Sequence, residues 1–291
     1  MVENSIRLLH PEAHDSTWGV RHHIADTLFT RVKEVREATD IQPDPNVTVL
    51  IRTRNHERTI GSLIDDVLVQ QFGGEKQLVV VDTESNDRTK EIAKRYGAVI
   101  VPLRQSTFNY ADSLNRGFEA ADHPFVVELV GHSNLSSTCA LRTLTRWAGK
   151  PNFAAVYGAA LPNTNATRGD ILISALTRAH RRLGPAERIE RWEPGALVAH
   201  RTILSKAVWK ELGGYDTAYG DGGEDTAFAR KMLNERPELF VVRDPGMSVL
   251  HSYGLDPLAT VRQISTLARK RYQGKGRSFT EMKYRTDLER V

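Results

Sequence analysis

A single cysteine, Cys139, in 291 residues leaves nothing for an internal disulfide to form with. A fold stapled by crosslinks is therefore excluded, and a reducing compartment is the expected setting. Nowhere do about 18 apolar residues follow one another, which excludes a membrane-spanning helix. The N-terminus lacks a basic segment followed by an apolar run, so no secretory leader is expected and the chain is read as cytoplasmic. No basic patch dominates the formal charge of +4 and the pI near 9.2. That balance opposes nucleic acid as a partner and suits a smaller anion such as a nucleotide diphosphate. Internal repeats and low-complexity tracts are also missing. What remains, at 40% hydrophobic and 26% charged residues, is a soluble globular composition large enough for one α/β domain with appendages.

The apolar runs supply the architecture. Val47-Thr48-Val49-Leu50-Ile51 is β-branched and reads as a buried strand, and Ile60, Leu63, Ile64, Val67 and Leu68 then recur at helical spacing. Gln77 to Val81 is a second strand, Asp87 to Tyr96 a second helix, and Ala98 to Val101 a third strand. Tyr110 to Ala121 and Phe125 to Val130 continue the alternation, which implies a mostly parallel sheet with helices on both faces. Ligands of such sheets sit beyond the carboxyl ends of the strands. Before this core, a helical pattern over Val20 to Thr39 ends in Gln42-Pro43-Asp44-Pro45-Asn46, whose prolines oppose helix continuation.

The strand ends carry candidate chemistry. The first strand exits into Arg52-Thr53-Arg54-Asn55-His56, where two arginines beside a helix start can meet phosphate charge or stand solvated. No glycine occurs from Arg52 to Glu57, which opposes a nucleotidyltransferase with a glycine-rich phosphate loop. The second strand ends in Asp82, followed by Thr83-Glu84-Ser85-Asn86-Asp87-Arg88-Thr89. An Asp at that tip can accept the imide N–H of uracil or thymine, or cap the next helix, a task that Ser85, Asn86 or Asp87 can do instead. Farther on, Gly213-Gly214-Tyr215-Asp216 and Gly223-Glu224-Asp225-Thr226 open an amphipathic helix with two adjacent carboxylates. Free N–H groups at a helix start stabilise a charged proton acceptor, while capping by Asp225 or Thr226 is the plainer role.

Together these segments resemble the nucleotide-sugar-dependent family 2 glycosyltransferases of GT-A fold, over Val47 to Tyr253. The family's Asp-Asp-Gly-Ser-x-Asp-x-Thr motif matches Asp82 to Thr89, with Thr83 and Glu84 in place of its second Asp and its Gly. Phe108 to Gly117 is similar to its segment before the fourth strand, closest to the branch that includes rhamnosyltransferases. Gly195 to Asp216 and Gly223-Glu224-Asp225 are similar to its acceptor side and its Glu-Asp base. The resemblance implies Asp225 as general base with Glu224 beside it. It implies nucleotide contacts from Arg52, Arg54, Asn55, Asp82, Ser85 and Asn115, and acceptor contacts from Trp192 and Asp216.

One motif departs from the pattern: the family's Asp-x-Asp, which binds a divalent ion clamped on the diphosphate, reads Val130-Gly131-His132 here. His251 matches a family position that often adds an imidazole ligand. A divalent metal, Mn2+ or Mg2+, is therefore expected through His132 and His251, and imidazoles favour manganese, iron or zinc-type ions. The alternatives are that His132 bonds the diphosphate directly, or that Glu128 compensates through a register shift.

The expected fold is a single α/β GT-A (Rossmann-like) domain with a mostly parallel central sheet and helical N- and C-terminal extensions. Residues 1–46 form the arm and linker, 47–254 the domain with nucleotide (47–135) and acceptor (136–254) halves, and 255–291 the C-terminal extension. The expected reaction is inverting transfer of a sugar from a UDP- or dTDP-linked donor to a hydroxyl on a glycan, lipid-linked or small-molecule acceptor. Arg178, Arg181 and Arg182 lie in a charged segment, Thr177 to Glu193, with lid character. The helical pattern from Pro257 to Tyr272, with its basic end, fits a packed helix, a peripheral membrane contact or a homodimer contact. A catalytically inactive module that binds a nucleotide sugar or a partner protein is the alternative in another class.

Overall fold

A computed structural model describes residues 43–163, 166–172, 185–193, 196–219 and 222–252. The helices expected over Val20–Thr39 and Pro257–Tyr272 lie outside these residues, as do Arg178, Arg181 and Arg182.

The expected alternation is present. In chain order the elements run β1 (Val47–Thr53), α1 (Ile60–Leu68), β2 (Lys76–Thr83), α2 (Thr89–Arg95), β3 (Val99–Leu103), α3 (Tyr110–Glu119) and β4 (Phe125–Val130). Then come β5 (Asn134–Leu135), α4 (Arg142–Thr145), β6 (Phe153–Tyr157), β7 (Ala160–Leu161), β8 (Glu187–Ile189) and β9 (Thr202–Ser205). The last elements are α5 (Lys206–Glu211), α6 (Glu224–Glu235), β10 (Phe240–Arg243) and β11 (Val249–Leu250).

Eight strands form one sheet in the order β3-β2-β1-β4-β9-β6-β10-β8. Pairing is parallel from β3 to β4 and between β6 and β10. β9 runs antiparallel to both β4 and β6, and β8 is an antiparallel edge. A second sheet, β5-β11-β7, has three two-residue strands.

Alternation along each strand divides the core into two layers. Leu50, Val79, Val81 and Val126 face one side, where Leu114 and Phe118 of α3, Trp209 of α5, and Phe228 and Met232 of α6 pack. Val49, Ile51, Val80, Val127 and Leu129 face the other, against Leu63, Ile64 and Val67 of α1 and Leu144 of α4. Each such side chain contributes about 1.5–3 kcal/mol relative to exposure. Two helix starts are capped from the side chain: Asn109 accepts the N–H of Asp112 at 3.0 Å, and Ser205 that of Val208 at 3.4 Å.

The segment carrying His251 is held by a close backbone approach. A Cβ on Gly158, just after β6, would stand 1.8 Å from the carbonyl oxygen of Met247. Gly158→Ala must displace backbone, so it should cost about 1–3 kcal/mol or more of stability. Thermal unfolding of this variant should show a melting temperature several degrees lower, and an unchanged value would mean that the approach is not tight.

Candidate functional site

Two loops form the floor of the crevice, and they are laced together by crossed hydrogen bonds. After β1, the N–H of Asn55 donates to Ser85 Oγ at 2.8 Å, and the N–H of Asn86 returns a bond to Asn55 Oδ1 at 2.9 Å. The N–H groups of His56 and Glu57 donate to Thr89 Oγ1 (2.7 Å) and Asp87 Oδ2 (3.0 Å). Asn55 sits at φ 54° and Glu84 at φ 48°, in the left-handed region. Glu84 stands where the resembled family has glycine, and its Oε2 accepts the N–H of Gln105 at 2.9 Å.

Asp82 takes the local, turn-closing role considered for it. Its Oδ1 accepts the N–H of Ser85 at 2.9 Å and so closes the turn, while Oδ2 is buried with no hydrogen-bond partner among the described residues. Beside it on the neighbouring strand, Arg52 has its Nε and Nη1 buried and likewise without partners among those residues, and its guanidinium lies 5.4 Å from the Tyr110 ring centroid. Arg54 and Asn55 are exposed on the same rim.

The carboxyl end of β4 brings histidines together in a row. Gly131 leaves the space, since a Cβ there would meet Thr53 Oγ1 at 2.5 Å and His56 Nδ1 at 2.8 Å. Thr53 Oγ1 lies 3.0 Å from His56 Nδ1, His56 Nε2 lies 3.2 Å from His132 Nδ1, and His132 Nε2 lies 3.0 Å from His251 Nε2. The His200 ring stacks obliquely on His251 with centroids 4.8 Å apart. The backbone N–H of Arg54 also reaches His56 Nδ1, at 3.3 Å. Burial, reinforced by the charges of neighbouring imidazoles and Arg52, pushes His132 down to about 3. Burial and the charge of Arg201 push His251 down to about 4, against the pull of Asp170. His56 and His200 are also lowered, mainly by burial. These imidazoles are neutral at pH 7.

The pair expected to hold a cation is therefore adjacent. No group of three or more His, Cys, Asp or Glu side chains among the described residues is arranged to hold a metal ion. The chain thus offers two imidazole nitrogens 3.0 Å apart, a donor pair whose chemistry fits a transition-type ion. Magnesium, which prefers oxygen, fits this donor set poorly. The expectation that Glu128 can stand in as a ligand fails: its carboxyl is wholly buried and its Oε1 accepts the Tyr215 hydroxyl at 2.7 Å.

On the face that packs α6, this helix begins with the Glu224-Asp225 pair after Gly223, whose φ of 96° makes the turn into the helix. Asp225 Oδ1 accepts the N–H of Thr226 at 2.6 Å, and Oδ2 accepts that of Ala199 at 3.3 Å. Glu224 is buried. The charges of Arg52, Asp225 and Glu224 all act on Glu128, and that of Arg52 also acts on His132 and His200. Arg52 is thus within electrostatic reach of both Glu128 and the histidines.

Three other expected residues have defined neighbours. Asn115 fastens α3 to the turn at Tyr215: its Oδ1 accepts the N–H of Tyr215 (2.8 Å) and Trp209 Nε1–H (3.1 Å), and its Nδ2 donates to the Tyr215 carbonyl (2.8 Å). It is a structural joint. Trp192 has one ring face covered by the Arg230 guanidinium at 4.3 Å. Asp216 is exposed and accepts the N–H of Ala218 at 2.9 Å. Sequence reading assigned no role to His56, His200 or Tyr215. Only their places beside quoted motifs could have signalled them.

Comparison with known proteins agrees with this arrangement. The model of the family described as glycosyl transferase family 2 matches residues 48–212, more than half of the chain. A curated relative, the O-antigen chain rhamnosyltransferase WbaN of Salmonella anatum, is 28% identical over 123 residues, which cover 42% of this chain and 39% of the relative. The matched stretch is thus about two-fifths of that relative's length. Among solved structures, the mannosyltransferase PcManGT from Pyrobaculum calidifontis, in complex with GDP-Man and Mn2+, superimposes with a TM-score of 0.57 at 19% identity, over 89% of this chain and 75% of that one. TarS 1-349 from S. aureus in complex with UDP gives 0.56 at 14% identity, over 77% and 71%. Glucosyl-3-phosphoglycerate synthase from Mycobacterium tuberculosis with phosphoglyceric acid gives 0.54 at 18%, over 80% and 82%. At these identities the likeness establishes a shared fold, the GT-A fold.

Two outcomes follow from the geometry. Asn115→Ala strands three polar groups, so it should lose more than the about 1–3 kcal/mol of one such group, whereas Asn115→Asp keeps the single acceptor oxygen, gives up the bond to the Tyr215 carbonyl and should lose less. Melting temperatures of the two variants decide it. The histidines make stability acid-sensitive: with folded values below the ordinary 6.5, the unfolded chain binds more protons as pH falls from about 6.5 towards 4, so the native state weakens in that window. Melting curves from pH 7 to 4.5 should show a shallower decline for His132→Gln than for the unchanged protein.

Proposed function

The chain belongs to glycosyl transferase family 2, and from that premise we propose that it transfers a sugar from a nucleoside diphosphate donor to an acceptor hydroxyl, with inversion at the anomeric carbon. The observation that carries this reading is the placing of Arg52 on β1, Asp82 at the end of β2 and the His132–His251 pair just past β4 at one edge of the sheet, with Asp225 bonded to Ala199, next to the His200 that stacks on His251.

Asp82 Oδ2, buried and unmatched among the described residues, accepts the imide N–H of a uracil or thymine ring, which favours UDP or dTDP as the carrier. The mixed donors of the solved neighbours, GDP-Man in one and UDP in another, make the choice of base a matter for binding measurements. The rhamnosyltransferase relative supports rhamnose as the first sugar to assay. Arg52, with Arg54 on the rim, meets the diphosphate charge. His132 and His251 would hold a divalent cation, which would supply further charge against that of the diphosphate, and the PcManGT complex with Mn2+ supports that use.

Asp225 is the general base. Its two oxygens accept the backbone N–H groups of Thr226 and Ala199, and from that position it takes the proton from the acceptor hydroxyl as that oxygen bonds to the anomeric carbon. The bond from that carbon to the phosphate oxygen breaks with its electron pair, and the nucleoside diphosphate leaves from the opposite face. Glu224 orients the acceptor. A glycan, a lipid-linked sugar or a small molecule can supply the hydroxyl, with Asp216 and Trp192 at the acceptor side.

Asp225→Asn should lower transfer by about 10²–10⁴-fold while UDP or dTDP still raises the melting temperature by mass action. Unchanged turnover across an acceptor panel would remove Asp225 from the mechanism. In the same thermal-shift measurement, nucleotide with manganese should stabilise more than nucleotide with magnesium or EDTA.

A further inference from the structure

Two buried polar groups share one face of adjacent strands without pairing. Glu128 on β4 is the register partner of Leu50 on β1, and Arg52 lies two residues farther along β1 on the same face. Glu128 Oε1 accepts the Tyr215 hydroxyl at 2.7 Å, and its Oε2 is buried with no partner among the described residues. The Nε and Nη1 of Arg52 are in the same condition. An ionised carboxylate in this position would draw the guanidinium into an ion pair, because an uncompensated buried charge is strongly unfavourable. The separation of the two groups is what a neutral carboxyl beside a charged guanidinium produces.

We propose that Glu128 is a positioning residue of the transfer site: as the neutral acid it anchors Tyr215, and with it the turn that leads to Glu224 and Asp225, while leaving Arg52 uncommitted for the anionic donor. The inference rests on the reading of the crevice as a donor site. The groups around Glu128 are consistent with it. Burial is the strongest effect and drives the carboxyl well above its ordinary range; the Tyr215 hydrogen bond and the charge of Arg52 oppose this, and Asp225 and Glu224 reinforce it. The remaining neighbour, Thr202 on β9, spends its hydroxyl on the Val198 carbonyl. Glu128 therefore separates two demands made on one spot. The acceptor-side turn needs a hydrogen-bond acceptor there, and the donor side needs the absence of a negative charge.

Glu128→Gln keeps the acceptor oxygen and removes the titration, and Glu128→Leu removes both. With a folded value above the ordinary 4.5, the native state retains a proton that the unfolded chain gives up, so Glu128 weakens the native state as pH rises from 4.5 towards its folded value. Melting curves of the full chain without ligand, from pH 5.5 to 8.5, should show Glu128→Gln gaining on the unchanged protein as pH increases, with Glu128→Leu less stable than Glu128→Gln throughout. Calorimetric titration with UDP and dTDP at pH 7 should give Glu128→Gln an affinity within about threefold of the unchanged protein. A stability difference that does not grow with pH, or a loss of affinity in Glu128→Gln, overturns the inference alone. Failure of the unchanged protein to bind either nucleotide overturns the donor-site reading, and the inference with it.

Discussion

Parallel pairing of β1 with both β2 and β4 is the constraint on which the rest of the structure depends. It sends three carboxyl ends to one edge of the sheet, so Arg52, Asp82 and, two residues past β4, His132 meet there although they span 80 positions of sequence. In an antiparallel arrangement neighbouring strand ends would face opposite ways. The crossover helices that parallel strands require also cover both faces, and one of those faces seats α6 with its two leading carboxylates. Close approach of backbones then sets the finer positions, at Gly131 for the histidines and at Gly158 for the segment before His251.

Burial governs the electrostatics of the crevice. Four imidazoles are kept neutral because a charged ring would lose its hydration, and Glu128 is kept neutral for the same reason. Arg52 and Arg201 bring guanidinium charge to bear on these imidazoles, while the Asp225 carboxylate oxygens are met by backbone N–H groups. Few charges in a poorly hydrated space act over longer distances than many charges in water. A single guanidinium can therefore influence both the carboxylate side and the histidine side.

Much of the fold was legible because buried parallel strands are continuous apolar runs, and Val47 to Ile51, Leu78 to Val81 and Val126 to Leu129 are such runs. Asp82, Arg52 and the Glu224-Asp225 pair were legible from their places at strand and helix ends. β9 was not: four residues, Thr202 to Ser205, carry little pattern, and their antiparallel place between β4 and β6 is decided by packing with distant strands. Asn115 illustrates another limit. Its motif suggested a nucleotide contact, but its amide is satisfied by a turn 100 positions later. Glu128 was noticed as a charge within an apolar run, yet its role depends on Tyr215, 87 positions away, and no local pattern announces that.

The crossed hydrogen bonds between the loops after β1 and β2 bear on how this half of the crevice meets a ligand. Asn55, Ser85, Asn86, His56 and Thr89 hold one another without needing a guest. The conformational entropy of shaping the cradle is thus lost during folding rather than on association. Substitutions within that lacework will register first in the folding equilibrium and only afterwards in affinity, so a weakened variant there reports on a preformed mould and not on a lost handhold.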